Sequence, residues 1–143
     1  MFNKIFNKEK KESLNNKNIL IIALLVHAAK IDENYTEEEK NIIKKVIIEL
    51  NQIKIVEAEE ILKFAEKKEE ESNQIIEFTN EIKKYPIEFR LKIIEIIWKI
   101  VYSDDTNDVY ESNLIRRICG LLYISDKDSG IIKTKVQNYI KKI

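Results

Sequence analysis

The sequence predicts an all-α domain of about seven helices, built as two similar helix–acidic loop–helix halves. Three observations carry this. Glycine occurs twice and proline once, at Pro86, in 143 residues, too few turn formers for a β-rich chain, which needs a turn every strand or two. Apolar residues recur at helical spacing in segment after segment. The chain also repeats itself, for Asp104 stands 72 positions after Asp32, and the same offset sets Thr36 on Asp108 and Glu39 on Glu111.

Taken in order, residues 1–16 form a basic N-terminal tail, and 17–143 the helical domain. Helices are expected at about 14–30, 37–51, 55–71, 73–84, 87–103, 109–122 and 127–142. The first and fifth are apolar almost all round, at Ile19–Ala29 and Ile93–Tyr102, which places them centrally. The second carries a stripe of Ile42, Ile43, Val46, Ile47 and Leu50, and the sixth repeats it with Leu114, Ile115, Ile118, Leu121 and Leu122. The third is rich in glutamate with interleaved lysines, the pattern of a solvated face. Pro86 suits the first turn of the fifth, where its missing N–H costs nothing. A lysine-rich start followed by Ile19–Val26 superficially matches a signal peptide. The repeat aligns that run with Leu91–Trp98, however, which keeps it in the folded domain, and it is too short to span a membrane.

Composition excludes several functions. Twenty-five basic residues balance 25 acidic ones, whereas a dedicated nucleic-acid binder needs excess Lys and Arg to neutralise phosphates. One cysteine, Cys119, and one histidine, His27, leave no internal disulfide and no zinc site built on thiolate or imidazole. Phosphate-binding glycine loops are absent, and no Ser or Cys nucleophile has an evident partner beyond that lone imidazole. No enzyme is indicated.

The acidic loops are the candidate sites. Thr36-x-x-Glu39 and Asp108-x-x-Glu111 read as capping boxes, in which the N-cap oxygen and the Glu carboxylate satisfy free backbone donors. Capping accounts for these four residues. It does not account for Asp32 and Asp104, which sit near the end of a preceding helix, where the dipole disfavours a carboxylate. Either each Asp shapes its turn by a local hydrogen bond, or it joins the capping carboxylate on a cation. Asp104, Asp105, Asp108 and Glu111, with Asp32 and Glu39 as the counterpart set, offer hard oxygen donors suited to calcium or magnesium. Neither loop is an EF-hand, since Val109 and Ile115, and Glu37 and Ile43, occupy the places of its Gly and Glu. No cofactor is required otherwise.

The segments Ala29–Glu39 and Trp98–Glu111, followed by Leu114–Ser125, resemble the acidic segments, sixth helix and exit turn of the TerB-like tellurite-resistance family. The resemblance covers residues 17–142. It implies a bundle of about seven helices and a non-enzymatic, cytoplasmic role in tellurite resistance or broader stress response, exercised through a protein partner, with acidic positions suspected of binding metal ions. The N-terminal domain of membrane-linked DnaJ-type co-chaperones is similar to that family, which implies a co-chaperone-like adapter as the alternative. Glu33 and Asp105 stand where the family usually has Gly, Thr36 replaces an acidic residue, and Tyr123 stands where a Gly often ends the sixth helix. The loss at Thr36 makes the second loop the better cation candidate.

In the tail, Phe2, Ile5 and Phe6 fall at helical spacing with Lys4, Lys8, Lys10 and Lys11 among and after them. A basic amphipathic segment of this kind can lie on an anionic membrane surface or dock on a partner. That membrane-peripheral reading would put the protein at the inner face of the membrane.

Overall fold

A computed structural model of the chain describes residues 19–31, 33–103 and 109–141. Within them lie helices α1 (19–30), α2 (Glu37–Asn51), α3 (Ile55–Glu71), α4 (Ile76–Ile82), α5 (Ile87–Val101), α6 (Val109–Leu121) and α7 (Asp126–Lys141), and no strand. The expected all-α architecture is what the chain adopts. The basic tail lies outside the described residues.

The centre of the bundle is α1 and α5, as their all-round apolarity demands. Each residue from Ile21 to Val26 is no more than 1% exposed, and α5 buries Ile93, Ile94, Ile96, Ile97, Trp98, Ile100 and Val101. A helix with no polar face has only the interior to occupy. The amphipathic helices pack around this pair and turn one stripe inward. On α2 it is Ile43, Val46 and Ile47, and the equivalent positions on α6, Ile115, Ile118 and Cys119, are buried too. α6 begins at Val109, 72 residues after α2 begins at Glu37.

Polar ties fix the remaining helices. α7 lies on α5, where Trp98 Nε1 donates to Ser129 Oγ at 3.3 Å and Gln137 Nε2 donates to Tyr102 Oη at 2.7 Å. Arg90, from the first turn of α5, donates from Nη1 to the Leu122 carbonyl at 2.6 Å and from Nε to the Tyr85 carbonyl at 3.2 Å. It thereby fastens the end of α6 to the turn before α5. That end is a Schellman closure. Ile124 N donates to Cys119 O at 2.9 Å and Tyr123 N to Gly120 O at 3.4 Å, with Tyr123 at φ 58°.

Two details depart from expectation. α4 is shorter than the 73–84 expected: it starts at Ile76, without a side-chain cap, and ends at Ile82, beyond which the chain turns toward Pro86 with Tyr85 N donating to Ile82 O at 3.0 Å. Pro86 is the N-cap of α5, at ψ 161°, rather than a member of its first turn.

Candidate functional site

The first acidic loop closes α1 and opens α2. Glu33 N donates to Lys30 O at 3.0 Å, and Glu33 itself is left-handed, at φ 64°. Extended Thr36 then caps α2. Its Oγ1 accepts from Glu39 N at 3.1 Å, while Glu39 Oε1 accepts from Thr36 N at 2.8 Å and from Thr36 Oγ1 at 3.1 Å. The capping box is thus complete, and Glu39 is only 2% exposed. Glu37 and Glu38 add negative charge to the same first turn, where the helix dipole favours it. Beside them Tyr35 folds under the loop, with Lys40 Nζ over its ring at 4.9 Å. The Tyr35 hydroxyl is buried, and among the described residues the Glu66 carboxylate is the charged group that acts on it most. Burial first, and then the negative charge of Glu66, push the phenol well above its ordinary pKa, so it stays protonated.

In the second loop, Asp104, Asp105 and Asp108 lie outside the described residues, as do Asp32 and the side chain of Glu111. Among the described residues, no group of three or more His, Cys, Asp or Glu side chains is placed to hold a metal ion. In the first loop Oε1 of Glu39 is already taken by two Thr36 donors. Phe2, Lys4, Ile5, Phe6 and Lys8 also lie outside the described residues. No described helix is long and apolar enough to cross a membrane.

The one imidazole and the one thiol of the chain are both engaged in the architecture. His27 Nδ1 lies 3.1 Å from Glu69 Oε1, and Lys30 Nζ lies 2.9 Å from Oε2 of the same mostly buried carboxylate. One glutamate therefore ties the last turns of α1 and α3. Cys119 is buried in α6. Burial raises its thiol pKa, which keeps it the unreactive thiol. Histidine and cysteine do not form a nucleophile–base pair.

A family model for tellurite resistance protein TerB matches residues 18–134. The chain belongs to the TerB family. No curated protein and no solved structure matches it. In this TerB domain, Glu33 and Tyr123 both have left-handed backbones. That is a conformation glycine adopts without penalty, and here an L side chain sits in it.

The domain also has a feature that the sequence reading did not single out. A cleft of about 510 Å³ opens between α2, α5 and α7, floored by Ile42, Val46, Ile96 and Tyr102 and edged by Lys45, Lys92, Lys99, Tyr139 and Ile140. It adjoins a second cleft of about 730 Å³ that shares Lys99 and Tyr139 with it and adds Glu95, Ile131 and Lys135. Three lysines converge on the single Glu95 carboxylate, Lys92 at 3.5 Å, Lys99 at 3.7 Å and Lys135 at 3.6 Å. Desolvation raises the Glu95 pKa, but the three lysines together outweigh it and hold the carboxyl below its ordinary range. The spacing of Lys92, Glu95 and Lys99 along α5 was legible in the sequence. Lys135 and Tyr139 join them only through tertiary packing.

Proposed function

We propose that this TerB domain is a non-enzymatic, stress-response interaction module of the tellurite-resistance type, working through a protein partner. The observation that carries it is the TerB family match over residues 18–134; it is supported by the burial of the only thiol, Cys119, and by the pairing of the only imidazole with Glu69 rather than with a nucleophile. Deleting the gene in the source cell should sensitise it to tellurite, and the intact chain should restore resistance. Unchanged tellurite survival of the deletion strain would speak against the reading.

Within it, calcium or magnesium binding falls to the second loop, through the donor chemistry of Asp104, Asp105, Asp108 and Glu111. Asp32 and Glu39 are the weaker set, because the Glu39 carboxylate is engaged in capping. Calorimetric titration with calcium tests this, and no heat beyond dilution would remove it. The alternative, a membrane-peripheral adapter or co-chaperone-like domain, is supported by the pattern of Phe2, Ile5, Phe6, Lys4 and Lys8. Co-sedimentation with phosphatidylserine vesicles should then exceed that of a chain beginning at Ser13. Equal, negligible pelleting of the two would remove it.

A further inference from the structure

We propose that the N-terminal tail docks in its own chain, seating Phe2, Ile5 and Phe6 in the α2–α5–α7 groove and covering it. The inference names an occupant for the groove and goes beyond the interaction-module reading.

The groove is shaped to take apolar side chains. Ile42, Val46, Ile96 and Tyr102 line its floor. At its edge Tyr139 is 63% exposed and Ile140 39% exposed. A contiguous apolar patch with a polar rim marks a place where something binds. Charge does not choose the occupant. At the rim Lys45, Lys92 and Lys99 are offset by Glu38 and Glu49 and by Glu95, which Lys92 and Lys99 share. The fitting partner is therefore a short segment whose apolar side chains carry the contact.

The tail supplies such a segment. Phe2, Ile5 and Phe6 stand at i, i+3 and i+4, the spacing that puts three side chains on one face of a helical turn. Anchors so spaced are how an amphipathic segment lies in an apolar groove. From Asn7 to Asn18 the only large apolar residue is Leu14. The sequence thus runs from an apolar anchor through a polar tether into the buried helix α1.

The tether also starts at the right end of the bundle. α3 runs opposite to α2, with Lys44 against Glu59 at 3.8 Å, and His27, late in α1, meets Glu69 near the end of α3. α1 therefore ends beside the start of α2 and begins toward its far end, where Glu49 borders the groove. Along α5 the groove runs from Lys92 to Ser103, about 17 Å at 1.5 Å per residue. The chain between Phe6 and the start of α1 at Ile19 reaches up to about 45 Å, enough to place the anchors anywhere along that length. Tethering makes the contact intramolecular, at an effective concentration on the order of millimolar. An apolar contact too weak to hold a separate peptide is then sufficient. A docked tail also withholds Phe2, Ile5 and Phe6 from a membrane, so the groove and an anionic surface compete for the same side chains.

The test is photo-cross-linking of the full chain carrying Phe6→p-benzoylphenylalanine, with the adducts mapped by mass spectrometry. Irradiation should give cross-links within one chain, to peptides that contain Ile42 and Val46, Ile96, or Tyr139 and Ile140. Their yield should be the same at low and high micromolar protein, and the same at low and high salt, because the rim charges are balanced. Tyr139→Ser removes an exposed side chain, so it should leave the circular dichroism spectrum unchanged while lowering the yield severalfold. The same probe at Lys11, in the polar tether, should label the groove severalfold less than the probe at Phe6. Several results would overturn the proposal: groove labelling no greater from Phe6 than from Lys11, adducts mapping elsewhere on the domain, or a yield indifferent to Tyr139→Ser. Cross-links formed only between copies, rising with concentration, would overturn it as well, and a yield lost at high salt would show that charge rather than apolar contact holds the tail.

Discussion

Replacing Tyr123 with glycine should stabilise the domain. Tyr123 holds φ 58° at the end of α6 and is 73% exposed, so its ring contributes little packing. A left-handed L residue costs about 1–2 kcal/mol, because its Cβ crowds the neighbouring carbonyl. Glycine removes that crowding but gives up about 0.5–1 kcal/mol through its larger unfolded-state freedom. The net gain lies between about 0 and 1.5 kcal/mol, centred on ~0.75 kcal/mol, or roughly 2–4 °C in melting temperature for a domain of this size. Thermal melts of the wild type, Tyr123→Gly and Tyr123→Ala, followed by circular dichroism, check it. Alanine keeps the Cβ and should fall within about 0.5 kcal/mol of wild type. A glycine variant that melts no higher than the alanine one would refute the account of the helix end.

Other substitutions test the ties between helices. Arg90→Ala should destabilise by about 1–3 kcal/mol in urea titration, since it strips charged donors from the Leu122 and Tyr85 carbonyls. Thr36→Ala should cost about 1 kcal/mol by removing the α2 cap, and Asp108→Ala the same if its loop caps α6 as the repeat implies. Glu95→Gln should destabilise at neutral pH, and the deficit should shrink in acid. Because lysines depress the folded-state pKa of Glu95, its contribution is present above the unfolded value and fades as pH falls through the folded one. Urea titrations at several pH values check this, and a pH-independent deficit would contradict it.

Much of this architecture was written in local pattern. The stripe on α2 and its repetition on α6 located both helices, and the Thr36-x-x-Glu39 spacing located a cap. The all-round apolarity of 19–29 and 93–102 marked the central pair. Contacts between distant segments left no such trace. Ser129 and Gln137, which receive Trp98 and reach Tyr102 across 31 and 35 residues, look like ordinary polar residues of an exposed helix. The pairing of His27 with Glu69 likewise depends on how α1 and α3 cross, which periodicity does not specify. At Tyr123 the local signal pointed away from the backbone adopted, because glycine normally marks a left-handed position and tyrosine does not.

The central claim, a TerB module that acts without catalysis, is tested most directly by tellurite survival of the deletion strain carrying His27→Gln/Cys119→Ala. Glutamine can keep a hydrogen bond to Glu69, and a folded double variant is verified first by its melting curve. Resistance equal to that restored by the wild-type chain is the predicted result. A folded, normally expressed double variant that restores no resistance would contradict the claim.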